Sequence, residues 1–216
     1  EAAIKYQNRK DMALVYSRIP CKVAGTFTSN IVKAAPVLWD KKVVDESPYA
    51  QAVVVNSGIA NACTGKQGLD YCEAEAKCAG ELLGIPTDSV LVASTGVIGM
   101  QLPIDRISAG IQKLAIAKSA SPESGLDAAK AIMTTDTVRK EVAVQYEVGG
   151  CVCTVGGMAK GSGMIHPNMA TTLNFVTTDA AIDAALVQKA LSKIVKVTYN
   201  CLSIDGDTST NDMVCI

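Results

Sequence analysis

The chain has 216 residues, 49% hydrophobic and 19% charged, with a formal net charge of −1. That balance excludes a disordered chain. It also argues against nucleic acid or an anionic membrane surface as partner, because no block of lysine or arginine supplies the necessary positive field; a small-molecule partner is expected.

The N-terminal stretch 1–11 has no apolar signal core. No run approaches the roughly 18–20 apolar residues of a membrane-spanning helix, so a cytoplasmic location is expected. Residues 12–16 and 23–27 read as strands joined by a turn at Ile19-Pro20. The apolar segment 32–44 carries Pro36, which leaves its state open. Residues 52–55 form a short apolar strand that runs into a polar loop, Asn56-Ser57-Gly58-Ile59-Ala60-Asn61. Residues 65–83 predict a helix with Leu69, Cys72, Ala76, Ala79 and Leu83 at helical spacing, ended by Gly84-Ile85-Pro86. The buried strand 90–93 leads into Ser94-Thr95-Gly96-Val97-Ile98-Gly99, which reads as a small-residue turn. Pro103 opens a helix with the stripe Ile104, Ile107, Ile111 and Leu114, and a further helix over 122–133 stops at Thr134-Thr135-Asp136.

Two strands, 140–148 and 151–158, flank Gly149-Gly150, a hairpin signal. A glycine- and proline-bearing loop follows, then a strand over 171–177, a helix over 184–196 capped by Asp183, and a polar loop 205–212. Residues 214–216 read as a strand just begun, so the protein is expected to continue beyond Ile216. Mixed helices and strands with hairpin-like pairs predict layered α/β packing, with sheets covered by helices.

The eight cysteines, at 21, 63, 72, 78, 151, 153, 201 and 215, include no Cys-x-x-Cys pair. Most sit among apolar or small residues and are expected to be buried free thiols. No metal site is expected: His166 is the only histidine, and Cys151 and Cys153 on one strand face make a weak zinc case. Asp205-x-Asp207-x-Ser209 starts like a calcium loop, but Thr210 stands where glycine is needed and Ile216 where glutamate is needed. The glycines near 156–163 lack a Gly-Lys-Ser/Thr ending, so no nucleotide loop is indicated.

The richest stretch is Lys160-Gly-Ser-Gly-Met-Ile-His-Pro-Asn-Met-Ala-Thr-Thr-Leu173. A cut between Ala170 and Thr171 would place a free α-amine, with a pKa near ~8, beside the Thr171 hydroxyl. Nucleophile and base would then share one residue. From Ala-Thr-Thr alone, the plainer reading is the start of a strand. Backbone N–H groups in 94–99, or the Thr95 hydroxyl, can form an oxyanion hole; a strand-to-helix turn is the plainer reading there. Lys160 suits an acidic substrate, though a lone lysine is more often solvated. Thr134-Thr135-Asp136 by itself is a helix-end turn. Ser162 lies too close in sequence to His166 for a convincing catalytic triad.

Five segments in order carry a family resemblance: Ala24-Gly-Thr-Phe-Thr-Ser-Asn30 with Lys33-Ala-Ala-Pro-Val37, Asn56 to Ala62, Ser94 to Gly99, Lys160 to Thr171, and Asp205-Gly-Asp-Thr-Ser-Thr-Asn-Asp212. The chain resembles the ornithine acetyltransferase family, also called glutamate N-acetyltransferase, of arginine biosynthesis. The resemblance implies a four-layer αββα sandwich and self-cleavage between Ala170 and Thr171. It implies Thr171 as nucleophile, Thr95 and Gly96 as the oxyanion hole, and Thr134, Lys160 and Thr171 as substrate contacts. It implies acetyl transfer from N-acetylornithine to glutamate without a cofactor, and leaves acetyl-CoA open as an additional donor. One truncated catalytic domain over 1–216 is expected, with 1–170 as α-chain portion and 171–216 opening the β chain, in a heterotetramer of two α and two β chains. A self-processing aminopeptidase using Thr171 for hydrolysis, and a non-catalytic protein of the same fold, are the alternatives.

Overall fold

The computed structural model describes residues 1–167 and 172–216. In chain order the elements are β1 (Met12–Cys21), β2 (Gly25–Phe27), α1 (Ala35–Glu46), β3 (Ala50–Ile59), α2 (Gly65–Leu83), β4 (Val90–Val97), α3 (Ile104–Ala117), α4 (Pro122–Ala131), β5 (Lys140–Val148), β6 (Cys151–Lys160), β7 (Leu173–Thr178), α5 (Ala184–Val195) and β8 (Met213–Cys215). They build two sheets. One has the order β1-β3-β4, the other β2-β8-β7-β6-β5. In the first, β1 runs antiparallel to β3 and β3 parallel to β4. In the second, β7 and β8 are parallel and the remaining pairs antiparallel.

The two-residue alternation of a strand sorts the core into layers. Ala52 and Val54 of β3, with Val90 and Val92 of β4, face Cys72, Ala76 and Ala79 of α2 and Ile107 and Ile111 of α3. The intervening Val55, Leu91 and Ala93 point the other way, onto Leu173, Phe175, Met213 and Cys215 of the second sheet. Val214, between Met213 and Cys215, faces outward and packs on Val195 beside Leu191 of α5. Helices, sheet, sheet and helix therefore stack as the four-layer αββα arrangement.

Several expectations need correction. Ile19-Pro20 is no hairpin turn. β1 passes through it with a register shift between Tyr16 and Cys21, and it pairs with β3 while β2 joins the other sheet. Proline is tolerated there because β1 is an edge strand, where a missing N–H need not break the ladder. The polar loop at 56–61 is strand as far as Ile59, and the turn at 94–99 is strand as far as Val97. The open segment at 32–44 becomes α1, with Pro36 in its first turn, where its absent N–H costs little. The cysteines are all free, but only Cys72 and Cys215 are buried; Cys63, Cys151 and Cys201 are exposed. Cys63 lies in a loop, Cys151 at the turn end of β6 and Cys201 in a short 3-10 turn, all outside the core.

Two carboxyl groups are buried in the layer between α1, α2 and β4. Asp40 Oδ1 accepts the Val92 N–H at 2.8 Å. Glu75 is 1% exposed, and neither of its carboxyl oxygens has a hydrogen-bond partner among the described residues. Burial pushes Glu75 up to about 8, from an ordinary 4.5. The folded chain therefore keeps a proton that the unfolded chain releases. The stability that Glu75 contributes is fully present below about pH 4.5 and is lost as pH rises towards 8, on the order of a few kcal/mol. Glu75→Gln should flatten much of this decline, leaving the slope due to Asp40 and Asp212, whose carboxyls burial also raises. Urea denaturation at pH 5 and pH 9 checks this; an unchanged difference between the two pH values for the variant would count against it.

Candidate active site between the sheets

β3 and β4 end side by side, and their register pairs Ser57 with Thr95 and Gly58 with Gly96. Gly96 has φ +136°, and a Cβ there would lie 2.2 Å from the Gly58 carbonyl carbon. The backbones approach this closely only because side chains are absent. Buried polar groups hold the paired ends. Asn56 Nδ2 donates to the Ile59 carbonyl at 2.9 Å, Ser94 Oγ to Asn56 Oδ1 at 2.6 Å, and Ser57 Oγ to the Ala131 carbonyl at 2.7 Å.

Lys160, the last residue of β6, reaches this edge from the second sheet. It is 4% exposed, and its Nζ donates to Thr95 Oγ1 at 3.2 Å. An ammonium offers donors only, so Thr95 Oγ1 accepts and its own proton stays available for another acceptor. Burial lowers the Lys160 pKa; the charges of Asp136 and Asp212 oppose that shift and Lys140 adds to it. The expectation of a solvated lysine is thus overturned by its place under the intersheet contact.

Thr134 lies just past α4. Its N–H donates to Asp136 Oδ2 at 3.3 Å and its carbonyl accepts from Arg9 Nη2 at 3.2 Å. Arg9 Nη2 also donates to the Met133 carbonyl. Asp136 Oδ1 accepts from Lys140 Nζ at 2.6 Å and from the Gly161 N–H at 2.8 Å. Burial alone would raise the Asp136 carboxyl; these hydrogen bonds and the Lys160 charge outweigh it and hold the group below its ordinary value. Asp136 therefore stays anionic and ties the Thr134 turn to the start of the glycine loop.

Thr95, Gly96, Thr134 and Lys160 all line one cavity of about 400 Å³. Four residues picked from three separate segments thus converge. Ala170 and Thr171, the expected cleavage pair, lie outside the described residues. Their neighbour Thr172 is described: its N–H donates to Asp212 Oδ1 at 3.1 Å and its carbonyl accepts the Met213 N–H at 3.0 Å. Asp212 is 1% exposed. Burial pushes its carboxyl up to about 7, partly offset by the Thr172 N–H and the Lys160 charge. One of its oxygens, Oδ2, has no hydrogen-bond partner among the described residues, since Thr28 Oγ1 donates to the Ser209 carbonyl at 2.7 Å.

Of the other sequence candidates, Ser162 and His166 do not line the cavity, whereas Asp205 does. His166 is exposed, and Ser162 Oγ is hydrogen-bonded to Thr135 Oγ1 at 2.7 Å. Asp205 accepts the N–H groups of Met164 and Ile165 at 2.7 and 2.9 Å, so its carboxylate braces the glycine loop. Among the described residues no group of three or more His, Cys, Asp or Glu side chains is gathered for a metal, and no helix is long and apolar enough to cross a membrane. From sequence Arg9 attracts no expectation, and Asp136, Asn211 and Asp212 enter only within Thr134-Thr135-Asp136 and the segment 205–212, with no role of their own. The signal that could have flagged two of them is the pair of adjacent polar residues, Asn211-Asp212, directly before an apolar strand.

Fold and cavity define a class of layered α/β proteins with a polar site set where two stacked sheets meet. The chain belongs to the ArgJ family, whose model matches residues 1–216. It is 56% identical over 208 residues to the arginine biosynthesis bifunctional protein ArgJ of Symbiobacterium thermophilum, covering 96% of this chain and 51% of that protein. It is 48% identical to the ArgJ of Thermotoga neapolitana, covering 97% and 52% respectively. The chain thus spans about half the length of the curated relatives it matches. Among solved structures, it is similar to the ArgJ crystal structure from Bacillus halodurans, with a TM-score of 0.71 and 45% identity over 76% of this chain and 85% of that one. It is also similar to an ornithine acetyltransferase complexed with ornithine from Mycobacterium tuberculosis, with a TM-score of 0.69 and 37% identity over 80% and 89% of the two chains.

Proposed function

We propose that the protein is an acetyltransferase that moves the acetyl group of N-acetylornithine to glutamate through a threonine ester, after cutting itself between Ala170 and Thr171. The observation that carries this reading is the hydrogen bond from Lys160 to Thr95 across the two sheets, inside the cavity that Gly96 and Thr134 also line. The relative that holds ornithine, and the ArgJ names of the other relatives, support the substrate class.

Thr171 Oγ attacks the acetyl carbonyl and its proton passes to the Thr171 α-amine. The negative charge on the former carbonyl oxygen is taken up by the Thr95 hydroxyl and the Gly96 N–H. The C–N bond breaks, the departing ornithine amine takes the proton, and an acetyl ester remains on Thr171. The α-amine of glutamate then attacks that ester and gives up a proton. The C–O bond breaks, Thr171 Oγ is reprotonated, and N-acetylglutamate leaves. No redox step or external cofactor enters this balance. Lys160 and Thr134 hold the substrate, with Lys160 suited to a carboxylate. The working unit contains both products of the cut, 1–170 as α chain and a β chain opening with 171–216, assembled as two of each in the cytoplasm.

The test is to incubate the full-length protein with N-acetylornithine carrying a labelled acetyl group, with and without glutamate. Labelled N-acetylglutamate, a labelled peptide starting at Thr171, and a fragment whose N-terminal sequence is Thr-Thr-Leu are expected. Release of free acetate without transfer would instead assign a hydrolase, and transfer by an uncut chain would overturn the processing step. Replacing the donor by labelled acetyl-CoA decides whether that second donor is used.

A further inference from the structure

The loop before β8 touches both halves of the candidate site with two consecutive side chains. Asn211 is buried, and its Nδ2 donates to the Ser94 carbonyl at 2.8 Å and to the Ala60 carbonyl at 2.6 Å. Its Oδ1 accepts from Thr210 Oγ1 at 2.6 Å. Ser94 directly precedes Thr95. Asp212 takes the Thr172 N–H at 3.1 Å, and Thr172 directly follows Thr171. The Asp212 carbonyl in turn accepts the Thr28 N–H at 3.0 Å, which fixes the loop to the end of β2.

Burying an amide and a carboxyl is unfavourable unless their polar atoms are paired. Here the amide holds the Ala60 and Ser94 carbonyls, the latter next to Thr95, and the carboxyl holds the N–H of the residue after Thr171. Adjacent Cα atoms are held about 3.8 Å apart by a trans peptide. One dipeptide therefore acts as a stiff spacer between the strand that carries the oxyanion donors and the strand that follows the nucleophile.

We propose that Asn211 and Asp212 are positioning residues that register β7, and with it the start of the β chain, against Thr95 and Gly96. The inference rests on the reading of Thr171 as nucleophile. It also has a pH dependence. Lys160, on β6, is the charged group acting on the Asp212 carboxyl, with the uncharged Thr28 and Ser209 side chains beside it, and Asp136 acts in turn on Lys160. As pH rises through the Asp212 value of about 7, the acceptor of the Thr172 N–H becomes a carboxylate, and a charge-assisted hydrogen bond is the stronger one. The spacer tightens above neutrality.

The test uses the full-length protein with Asp212→Ala, Asp212→Asn and, as control, Thr171→Ala. Cutting is followed by intact mass, transfer by kcat and KM across roughly pH 6 to 8, and folding by circular dichroism. Asp212→Ala should slow cutting and kcat by about 10- to 100-fold, with KM within about 2-fold, as misplacement of reacting groups does. Asp212→Asn keeps an oxygen for the Thr172 N–H and should recover most of the rate. Its kcat relative to wild type should fall as pH rises across that range, because only the wild type gains charge. A folded Asp212→Ala with wild-type rates overturns the proposal, as does Asp212→Asn performing no better than alanine. If the alanine variant does not fold, a flat ratio of asparagine variant to wild type across the pH range overturns it. Undiminished transfer by Thr171→Ala would sink the nucleophile assignment itself; its loss alongside indifferent Asp212 variants sinks the spacer alone.

Discussion

Thr171→Ala should leave the chain uncut between residues 170 and 171 and lower acetyl transfer by at least about 10⁴-fold, the scale at which a covalent nucleophile is lost. Thr172→Val should do neither. The two threonines are adjacent, and the structure gives the second a purely backbone role. Thr172 is 7% exposed, and its hydroxyl is buried with no hydrogen-bond partner among the described residues. Its N–H and carbonyl, by contrast, are both held, by Asp212 and Met213. Valine keeps the shape and the backbone bonds and removes a buried polar atom that has no partner among the described residues. Its stability should match or exceed that of wild type, by up to about 1 kcal/mol. Intact mass separates cut from uncut chains, the transfer assay reads chemistry, and a thermal melt reads stability. A normally cut Thr171→Ala, or a Thr172→Val as inactive as Thr171→Ala, would reverse the assignment.

What the sequence made legible, and what it hid, follows from the range of the interactions involved. The α2 helix is local: the helix expected over 65–83 is Gly65–Leu83, with Cys72, Ala76 and Ala79 of the stripe buried, although Leu69 at its start is exposed. The Gly149-Gly150 turn is equally local, with φ values of +59° and +78° that suit a tight hairpin between β5 and β6. The strand character of 56–59 and 94–97 is not local. Asn56, Ser57, Gly58 and Ser94 to Gly96 carry turn chemistry. They are extended because β3 and β4 lie parallel, a pairing that closes across the whole of α2. Asn56 bonding Ser94 is the side-chain form of that register. No window of sequence holds both partners.

The candidate site divides in the same way. Thr95, Gly96, Thr134 and Lys160 came from motif resemblance, and the cavity brings them together. Their supports, Asp136 under Gly161 and the Asn211-Asp212 pair under Ser94 and Thr172, act through contacts 25 to 117 residues apart in the chain. An aspartate at a helix end looks the same in sequence whether it braces a turn or faces water. Lys160 was ambiguous for a related reason: being buried against Thr95 depends on how the second sheet lies on the first, which no periodicity within β6 encodes.

Gly96→Ala should be severely damaging for the addition of one methyl group. Two terms combine. At φ +136° an alanine is strained by roughly 1–3 kcal/mol. Its Cβ would also fall 2.2 Å from the Gly58 carbonyl carbon, 2.3 Å from the Gly58 oxygen and 2.6 Å from the Ile59 nitrogen. Every one of those atoms is backbone, so no side chain can swing aside. β3 would have to move, but it is paired on its other edge with β1 and pinned through Ser57 Oγ to the Ala131 carbonyl. A loss above about 4 kcal/mol follows, which for a chain of this size lowers the melting temperature by roughly 10 °C or more. Gly99→Ala isolates the first term, because Gly99 has φ +81° but open space where its Cβ would point; it should lose only the strain. If the two variants melt within about 2 °C of each other, close strand approach is not what glycine provides at 96. If Gly96→Ala folds but shows a kcat loss without a KM change, the widened strand end has moved Thr95 away from the position it holds against Lys160, and the oxyanion role gains its most direct support.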